Sequence, residues 1–118
     1  MEKPVLYTVI AGIAVGVAAL AFFAFGRPAT DPVALADCLS AKGWTMYGTE
    51  WCSHCNAQKE AFGEAFAKVD FVDCDEKPFE CQENGVDAYP SWVNRDGSRH
   101  LVGEQSLDVL ASEAGCVS

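Results

Sequence analysis

Two cysteines separated by two residues, Cys52 and Cys55, are the side chains in this chain best suited to chemistry. They follow the largely apolar stretch 44–48, and the pattern predicts a buried strand, a turn and a helix that begins at the cysteines. At a helix start, unpaired N–H groups favour a thiolate on the first sulfur. Because the thiolate is the nucleophile of disulfide exchange, the spacing indicates a redox site. A zinc site or an inert disulfide would fit the same spacing.

His54 lies between the two cysteines and could tune their chemistry. An imidazole beside a thiolate can donate a hydrogen bond or carry positive charge, which stabilises the reduced form and makes the disulfide more oxidising. An exposed histidine with little influence is the alternative. Trp51 is expected to pack beside the site and shape access to it.

Hydrophobic periodicity and turn residues predict eight elements after residue 30. The order is helix, strand, helix, strand, helix, strand, strand, helix, with ranges 31–43, 44–48, 52–69, 69–74, 78–83, 86–93, 99–102 and 106–115. Gly63 interrupts the second helix, which suggests close packing there. A strand–helix–strand unit followed by a hairpin and a helix predicts a small mixed α/β sheet with helices on both faces.

The first 25 residues predict a single-pass membrane anchor. Residues 4–25 include no charged side chain, and as a helix they would extend about 33 Å, enough for a bilayer core of about 30 Å. A cleaved signal peptide, the alternative, usually has an apolar region of only about 7–15 residues. Gly12 and Gly16 could contact another membrane helix. Residues 26–30 are then a short linker and residues 31–118 a folded domain.

The cysteine content and the net charge restrict where the domain works. Six cysteines in so short a chain indicate an oxidising compartment. Lys3 and Arg27 flank the apolar stretch almost symmetrically, so basic residues say little about orientation. We therefore expect the carboxy-terminal domain to face the extracytoplasmic side of the cell membrane. The net charge of −9 argues against nucleic acid as a partner.

The predicted order, with Trp-Cys-x-x-Cys at a helix start and Tyr-Pro-Ser before a hairpin, resembles the thioredoxin fold. The resemblance covers residues 31–118 and implies a thioredoxin-like mixed central sheet flanked by helices. It also implies that the Tyr89–Pro90 peptide bond is cis, faces the cysteines and presents a backbone edge that binds extended substrate. Only about 5–6% of X–Pro bonds are cis, so the residues alone do not predict this geometry.

A larger set of residues resembles the thioredoxin-like domain that accompanies bacterial and archaeal vitamin K epoxide reductase homologues. The matching residues are Tyr47, Gly48, Trp51, Cys52, His54, Cys55, Gln58, Lys59, Phe62, Gly63, Cys74, Cys81, Val86, Tyr89, Pro90, Trp92, Leu107, Ala111, Gly115 and Cys116. The resemblance implies oxidation of client protein thiols and reoxidation by a membrane partner that passes electrons to quinone. We expect no cofactor in the chain itself. A single predicted anchor replaces the four-helix reductase portion of that family.

The resemblance also implies roles for the residues around the motif. Cys52 is the attacking thiol and Cys55 the resolving thiol. Ser53 occupies a position that is often proline in relatives, which could shift the redox potential. Glu50 could accept the Cys55 proton through water, as a buried acid does in thioredoxins, or it could be an ordinary loop carboxylate.

The other four cysteines are expected to form two structural disulfides, although six cysteines allow many pairings. Cys74 ends a predicted strand and Cys81 lies on the next short helix, and this pair is part of the resemblance. Cys38 and Cys116 lie on the first and last helices and could join them. A second redox pair, Cys74 with Cys81, is the alternative.

Other functions remain open from the sequence. A disulfide reductase or isomerase would use the same site, because direction depends on the redox potential. A zinc module would bind through Cys52, Cys55, Cys74 and Cys81, but the six residues between Cys74 and Cys81 exceed the usual ligand spacing. We therefore expect no metal. A disulfide-stapled structural domain at the membrane is the remaining possibility.

Overall fold

The computed structural model describes residues 30–116, which form four helices, one 3-10 helix and four strands within that range. In chain order they are α1 (Pro32–Ala41), β1 (Thr45–Gly48), α2 (Ser53–Phe62), the 3-10 helix (Gly63–Lys68), β2 (Asp70–Asp73), α3 (Pro78–Glu83), β3 (Ser91–Val93), β4 (His100–Val102) and α4 (Leu107–Ala114). The predicted order of helices and strands is confirmed.

The four strands form one mixed sheet in the order β2-β1-β3-β4. β1 pairs with β2 in parallel, with Gly48 opposite Asp73. β3 is antiparallel to both β1 and β4, with Ser91 opposite Tyr47 on one side and Val102 on the other. A parallel pair needs a crossover, which α2 and the 3-10 helix provide, whereas β3 and β4 are joined by a short hairpin.

Each face of the sheet is covered by its own apolar cluster. Successive strand residues point to opposite faces, so Met46 and Tyr47 belong to different clusters. Met46 and its cross-strand partner Trp92 pack with residues of α1, α2 and α4. Tyr47 packs on the other face with Cys81 of α3. The prediction of a mixed α/β sheet with helices on both faces is confirmed.

Local capping signals account for several helix limits. The Asp31 side chain accepts a hydrogen bond from the Val33 N–H at 3.0 Å, and Pro32 takes the first helical position, where no N–H is needed. At α4 the Ser106 side chain accepts from Val109 N–H, and Gly115 ends the helix in the left-handed conformation.

Two predicted elements are shorter than the sequence suggested. The helix predicted over 52–69 ends as an α-helix at Phe62, where Gly63 has φ +60° and ψ −135°. Close packing at Gly63 was the wrong expectation, because a Cβ atom there would have no neighbour within 4 Å; the glycine is needed for its backbone angles. The strand predicted over 86–93 is limited to Ser91–Val93, since Pro90 has no N–H for a ladder.

Two disulfide bonds hold the periphery of the domain. Cys38 of α1 is bonded to Cys116, 78 positions later, and Cys74 is bonded to Cys81 of α3, 7 positions later. The first bond joins the beginning and the end of the described chain. The second fixes the segment after β2 against α3.

The predicted anchor, residues 4–25 with Gly12 and Gly16, lies outside the described residues, as does most of the predicted linker 26–30. Between residues 30 and 116, no helix has the length and apolar character needed to cross a bilayer. The predicted domain boundaries therefore stay predictions.

Candidate redox site

Four loops meet at one edge of the sheet. β1 and β2 are parallel, so the segments that follow them, 49–52 and 74–77, leave from the same edge. β3 is antiparallel to β1, which brings the segment before it, 84–90, to this edge, and the segment after β4, 103–106, joins them. The Cys-x-x-Cys motif lies at this junction, a common location for sites in α/β sheets.

Cys52 is the N-cap residue of α2 and is half-buried. Its Sγ accepts a hydrogen bond from the Cys55 N–H at 3.2 Å. The sulfur thus occupies the position at which an N-cap oxygen usually lies, against the positive end of the helix. The half-buried sulfur of the pair is therefore the one that a helix N–H contacts.

Cys55 lies one turn into the helix and is fully buried. Burial raises the pKa of the Cys55 thiol to about 11, and contact with Cys52 acts in the same direction. A backbone hydrogen bond from Thr49 and the positive charge of Lys59 act in the opposite direction on this pKa. Cys55 is therefore a protected thiol, while Cys52 is the more accessible sulfur of the two.

Gly48 makes room for the buried sulfur. A Cβ atom at Gly48 would lie 2.7 Å from Cys55 Sγ and 3.5 Å from Cys55 Cβ. The 2.7 Å contact with Sγ is not tolerated without a shift of the strand or of the helix. The end of β1 thus requires glycine for Cys55 to lie against it.

The Tyr89–Pro90 peptide bond is cis and faces the cysteines. Cys52 Sγ lies 3.8 Å from the Tyr89 carbonyl oxygen. The Pro90 carbonyl oxygen accepts a hydrogen bond from Gly103 N–H at 2.7 Å, which ties this segment to the loop after β4. The structure therefore brings Cys52, Tyr89 and Pro90 together, as the resemblance implied.

Trp51 lies beside the motif and is 71% exposed. Its Nε1–H donates to Asp75 Oδ2 at 2.7 Å, and its ring meets Tyr89 edge to face at a centroid distance of 6.2 Å. Asp75 directly follows the disulfide-bonded Cys74. The indole thus connects the motif with the cis-proline loop and with the Cys74–Cys81 segment.

Three of the predicted tuning residues, His54, Ser53 and Glu50, are exposed around the motif. His54 Nδ1 lies 3.3 Å from Glu104 Oε1, and the imidazole is 73% exposed. Within residues 30–116, the imidazole makes its polar contact with the Glu104 carboxylate. Ser53 is exposed at the first position of α2. Glu50 is exposed in the loop, and its backbone carbonyl accepts from Asn56. Of the two roles predicted for Glu50, this exposure fits the ordinary loop carboxylate and does not provide the buried acid that thioredoxins have.

Gln58 has a positioning role that the sequence analysis did not assign to it. It is fully buried, and its Oε1 accepts from Trp92 Nε1 at 3.2 Å and from Gln105 N–H at 2.7 Å. Its Nε2 donates to the Gln105 carbonyl at 2.9 Å. These bonds hold the loop after β4 against α2. A glutamine within an otherwise apolar helix face was the available signal.

Nothing in residues 30–116 corresponds to the four-thiolate zinc site. Cys74 and Cys81 are bonded to each other, and no group of three or more potential ligands is assembled in that range. Together with the Cys38–Cys116 bond, this disulfide leaves Cys52 and Cys55 as the two free thiols among the six cysteines.

The strand order, the dithiol at the start of α2 and the cis-proline facing it define a thioredoxin-like fold. The chain is 36% identical over 92 residues to the thiol-disulfide oxidoreductase LTO1 of Arabidopsis thaliana, an alignment that covers 70% of this chain and 24% of that protein. The chain thus spans about a quarter of the length of this relative. No protein-family model matches the chain.

Two solved structures that match this chain are those of thioredoxins. One, NaTrxh from Nicotiana alata, is 26% identical with a TM-score of 0.49, covering 59% of this chain and 67% of that one. The other, from Fasciola hepatica, is 19% identical with a TM-score of 0.48, covering 67% and 88%. Because both TM-scores are below 0.5, the fold assignment rests on the strand order and on the cis-proline beside the cysteines.

The contact between Gly48 and Cys55 leads to a testable expectation. We expect Gly48→Ala to displace the Cys55 sulfur, to lower the free energy of unfolding by about 1–3 kcal/mol, and to slow disulfide formation between Cys52 and Cys55. Urea unfolding and the rate of oxidation by glutathione disulfide measure the two effects.

Gly63→Ala is the matched control for this variant. It strains a glycine with positive φ at a similar energetic cost but has no neighbour within 4 Å. The control should lose stability and keep the oxidation rate of the wild type. Equal oxidation rates in Gly48→Ala and the wild type would contradict the proposed contact.

Proposed function

We propose that this chain is a protein thiol–disulfide oxidoreductase whose redox pair is Cys52 and Cys55. The observation that carries the proposal is the asymmetric pair itself. One sulfur is accessible at the start of α2 and 3.8 Å from the Tyr89 carbonyl of the cis-proline loop, and the other is buried one turn further on. The similarity to the plant oxidoreductase supports the same activity.

The chemistry follows from this asymmetry. In the oxidised protein, a client thiolate attacks Cys52 Sγ, the Cys52–Cys55 bond breaks, and Cys55 leaves as a thiolate that then takes a proton. A second client thiolate attacks the client sulfur of the mixed disulfide and releases reduced Cys52. The client has then lost two electrons and the Cys52/Cys55 pair has gained them.

The cis-proline loop offers a binding edge for the client. The Tyr89 carbonyl lies next to Cys52, so an extended client segment pairing with this backbone would bring its own sulfur to Cys52. Exposed Trp51 lies beside the same edge and adds apolar contact area. Client proteins with accessible cysteines in extended segments are the proposed substrates.

Trapping of clients tests the activity directly. We expect the Cys55→Ser variant to accumulate mixed disulfides with client proteins. Its Cys52 thiolate attacks a client disulfide and expels one client sulfur as a thiolate, and the chain then lacks the Cys55 thiol that would attack Cys52 and release the other client sulfur. Non-reducing gels would reveal these species, and mass spectrometry would assign the linkage to Cys52. Cys52→Ser is the matched control and should trap nothing, since Cys55 is buried. Equal trapping by both variants, or by neither, would reject the proposed activity.

We propose client oxidation as the physiological direction. Two further disulfides in the same domain support an oxidising environment. Equilibration of Cys52/Cys55 with glutathione buffers should give a potential nearer −120 mV than about −270 mV, the range of related oxidoreductases. His54→Ala tests whether the imidazole contributes despite its contact with Glu104. A wild-type potential near the reducing end would instead support the disulfide reductase or isomerase function.

We further propose that residues 4–25 anchor the chain, with the domain on the extracytoplasmic side and a quinone-linked, vitamin K epoxide reductase-like protein as electron acceptor. The uncharged apolar stretch and the number of cysteines support this arrangement. Gly12 and Gly16 offer a close-packing face to a partner helix.

Membranes that contain the full chain test the anchor and the partner together. We expect the chain to stay in the membrane fraction after an alkaline carbonate wash and, once reduced, to be reoxidised by added quinone. Ile13→Lys/Val17→Lys is the control, because each central lysine costs about 2.5–3.5 kcal/mol of insertion free energy. Release of the wild type by carbonate would contradict anchoring, and reoxidation that does not depend on quinone would contradict the proposed acceptor.

A further inference from the structure

Lys59 is a half-buried cation on the helix that carries the redox pair. It follows Cys55 by one helical turn, a spacing that brings two side chains to the same face. Its Nζ lies 4.3 Å from the centre of the Phe71 ring and 5.7 Å from that of the Phe66 ring. Two aromatic faces therefore attract the ammonium group and restrict where it lies.

Phe71 connects this ammonium group with the buried sulfur. A Cβ atom at Gly48 would be 2.7 Å from Cys55 Sγ and 3.5 Å from Phe71 Cε2, so both side chains border the same point of β1. Lys59 lies over the ring of Phe71. The cation, the ring and the thiol are thus consecutive neighbours on one side of β1.

Lys59 is the cation that acts on Cys55 within residues 30–116. Burial, the largest effect, raises the pKa of the Cys55 thiol, and the Lys59 charge lowers it. Cys52 is the other titratable group that acts on this sulfur.

Charged and titratable groups on the neighbouring elements are engaged elsewhere. From β1 and β2, Gly48 and the Phe71 ring border the Cys55 sulfur. In the loops at this edge, Glu104 pairs with His54, Asp75 accepts from Trp51, and the Tyr89 ring packs on Trp51. Asp73 accepts from the Asp75 N–H. A buried Cys55 thiolate would therefore depend on Lys59 for opposite charge.

We propose that Lys59 is a positioning residue of the redox site: its ammonium group, held over Phe66 and Phe71, stabilises the negative charge that develops on Cys55 when a thiolate opens the Cys52–Cys55 disulfide. This role rests on the proposed function. The attacking thiolate bonds to Cys52 Sγ, the Cys52–Cys55 bond breaks, and its electron pair goes to Cys55 Sγ, which then takes a proton from solvent. In reverse, the Cys55 thiolate attacks Cys52 Sγ and expels the other thiolate.

The role of Lys59 is kinetic at neutral pH. With a pKa of about 11, the product Cys55 is a neutral thiol at pH 7 and gains little from a nearby cation. The negative charge exists only while the bond is breaking or forming. Removal of the cation should therefore slow opening and closing of the disulfide by the same factor and leave the redox potential at pH 7 unchanged. A variant that had lost only packing contacts would have no reason to show equally slowed opening and closing together with an unchanged potential.

Stopped-flow reduction of the oxidised full chain by dithiothreitol measures the opening rate without any client. We expect Lys59→Met, which keeps the apolar stem, to lower this rate about threefold to tenfold at pH 7, and to lower the rate of closing from a glutathione mixed disulfide on Cys52 equally. Lys59→Arg, which keeps the charge and its attraction to aromatic rings, should restore most of both rates.

Lys68→Met is the matched control because it removes one exposed cation, paired with Asp37, from the adjacent 3-10 helix. It should react like the wild type. Phe71→Leu removes the ring under the ammonium group and should also slow the reaction. Its unfolding curve shows whether this variant is folded. Lys59→Gln provides a second neutral side chain if Lys59→Met unfolds.

The outcomes separate this inference from the proposed function. Unchanged rates in Lys59→Met and Lys59→Gln would overturn the role of Lys59 while client trapping by Cys55→Ser could still succeed. A shifted potential at pH 7 would also overturn it, because the cation would then act on Cys52. Failure of the wild type to exchange with dithiothreitol would instead reject the redox function itself.

Discussion

The sulfur of Cys55 lies where the first turn of α2 meets the end of β1, and it fits there because Gly48 has no side chain. Burial at this point raises the pKa of Cys55 and leaves Cys52 as the accessible sulfur. The burial of Cys55 thus depends on the sheet, whereas the exposure of Cys52 follows from its place at the start of α2. The other contacts of the site, with the cis-proline loop and the loop after β4, extend from this point.

The fold could be predicted where local signals determine an element, and less well where distant contacts do. Pro78 and Ser106 define helix starts by their own chemistry. The limits predicted for α3 and α4 agree with those in the structure. The change from α-helix to 3-10 helix at Gly63 depends on an unusual pair of backbone angles. A glycine permits these angles but does not require them. The cis bond at Pro90 is a property of the assembled sheet edge, and only the resemblance to a known fold indicated it.

The same division applies to the site. The spacing of Cys52 and Cys55 pointed to redox chemistry because it reflects local helix geometry. The partners of the surrounding side chains did not follow from the sequence, since His54 contacts Glu104 and Trp51 contacts Asp75 across 50 and 24 positions. The environment of Lys59 is another example, because its ammonium group lies over Phe71 of β2, which is distant in the sequence and comes close only in the folded sheet.

The Cys38–Cys116 bond has a mechanical consequence. It closes a covalent loop around all the strands, because its two cysteines are 78 positions apart and enclose every element from β1 to α4. Tension applied between the chain before Cys38 and the chain after Cys116 would pass through the sulfur–sulfur bond and bypass the sheet. The contact between Gly48 and Cys55 would then bear no load. Force applied to the two ends of the domain would then leave the site assembled, whereas the same force would shear an unbridged domain of the same fold.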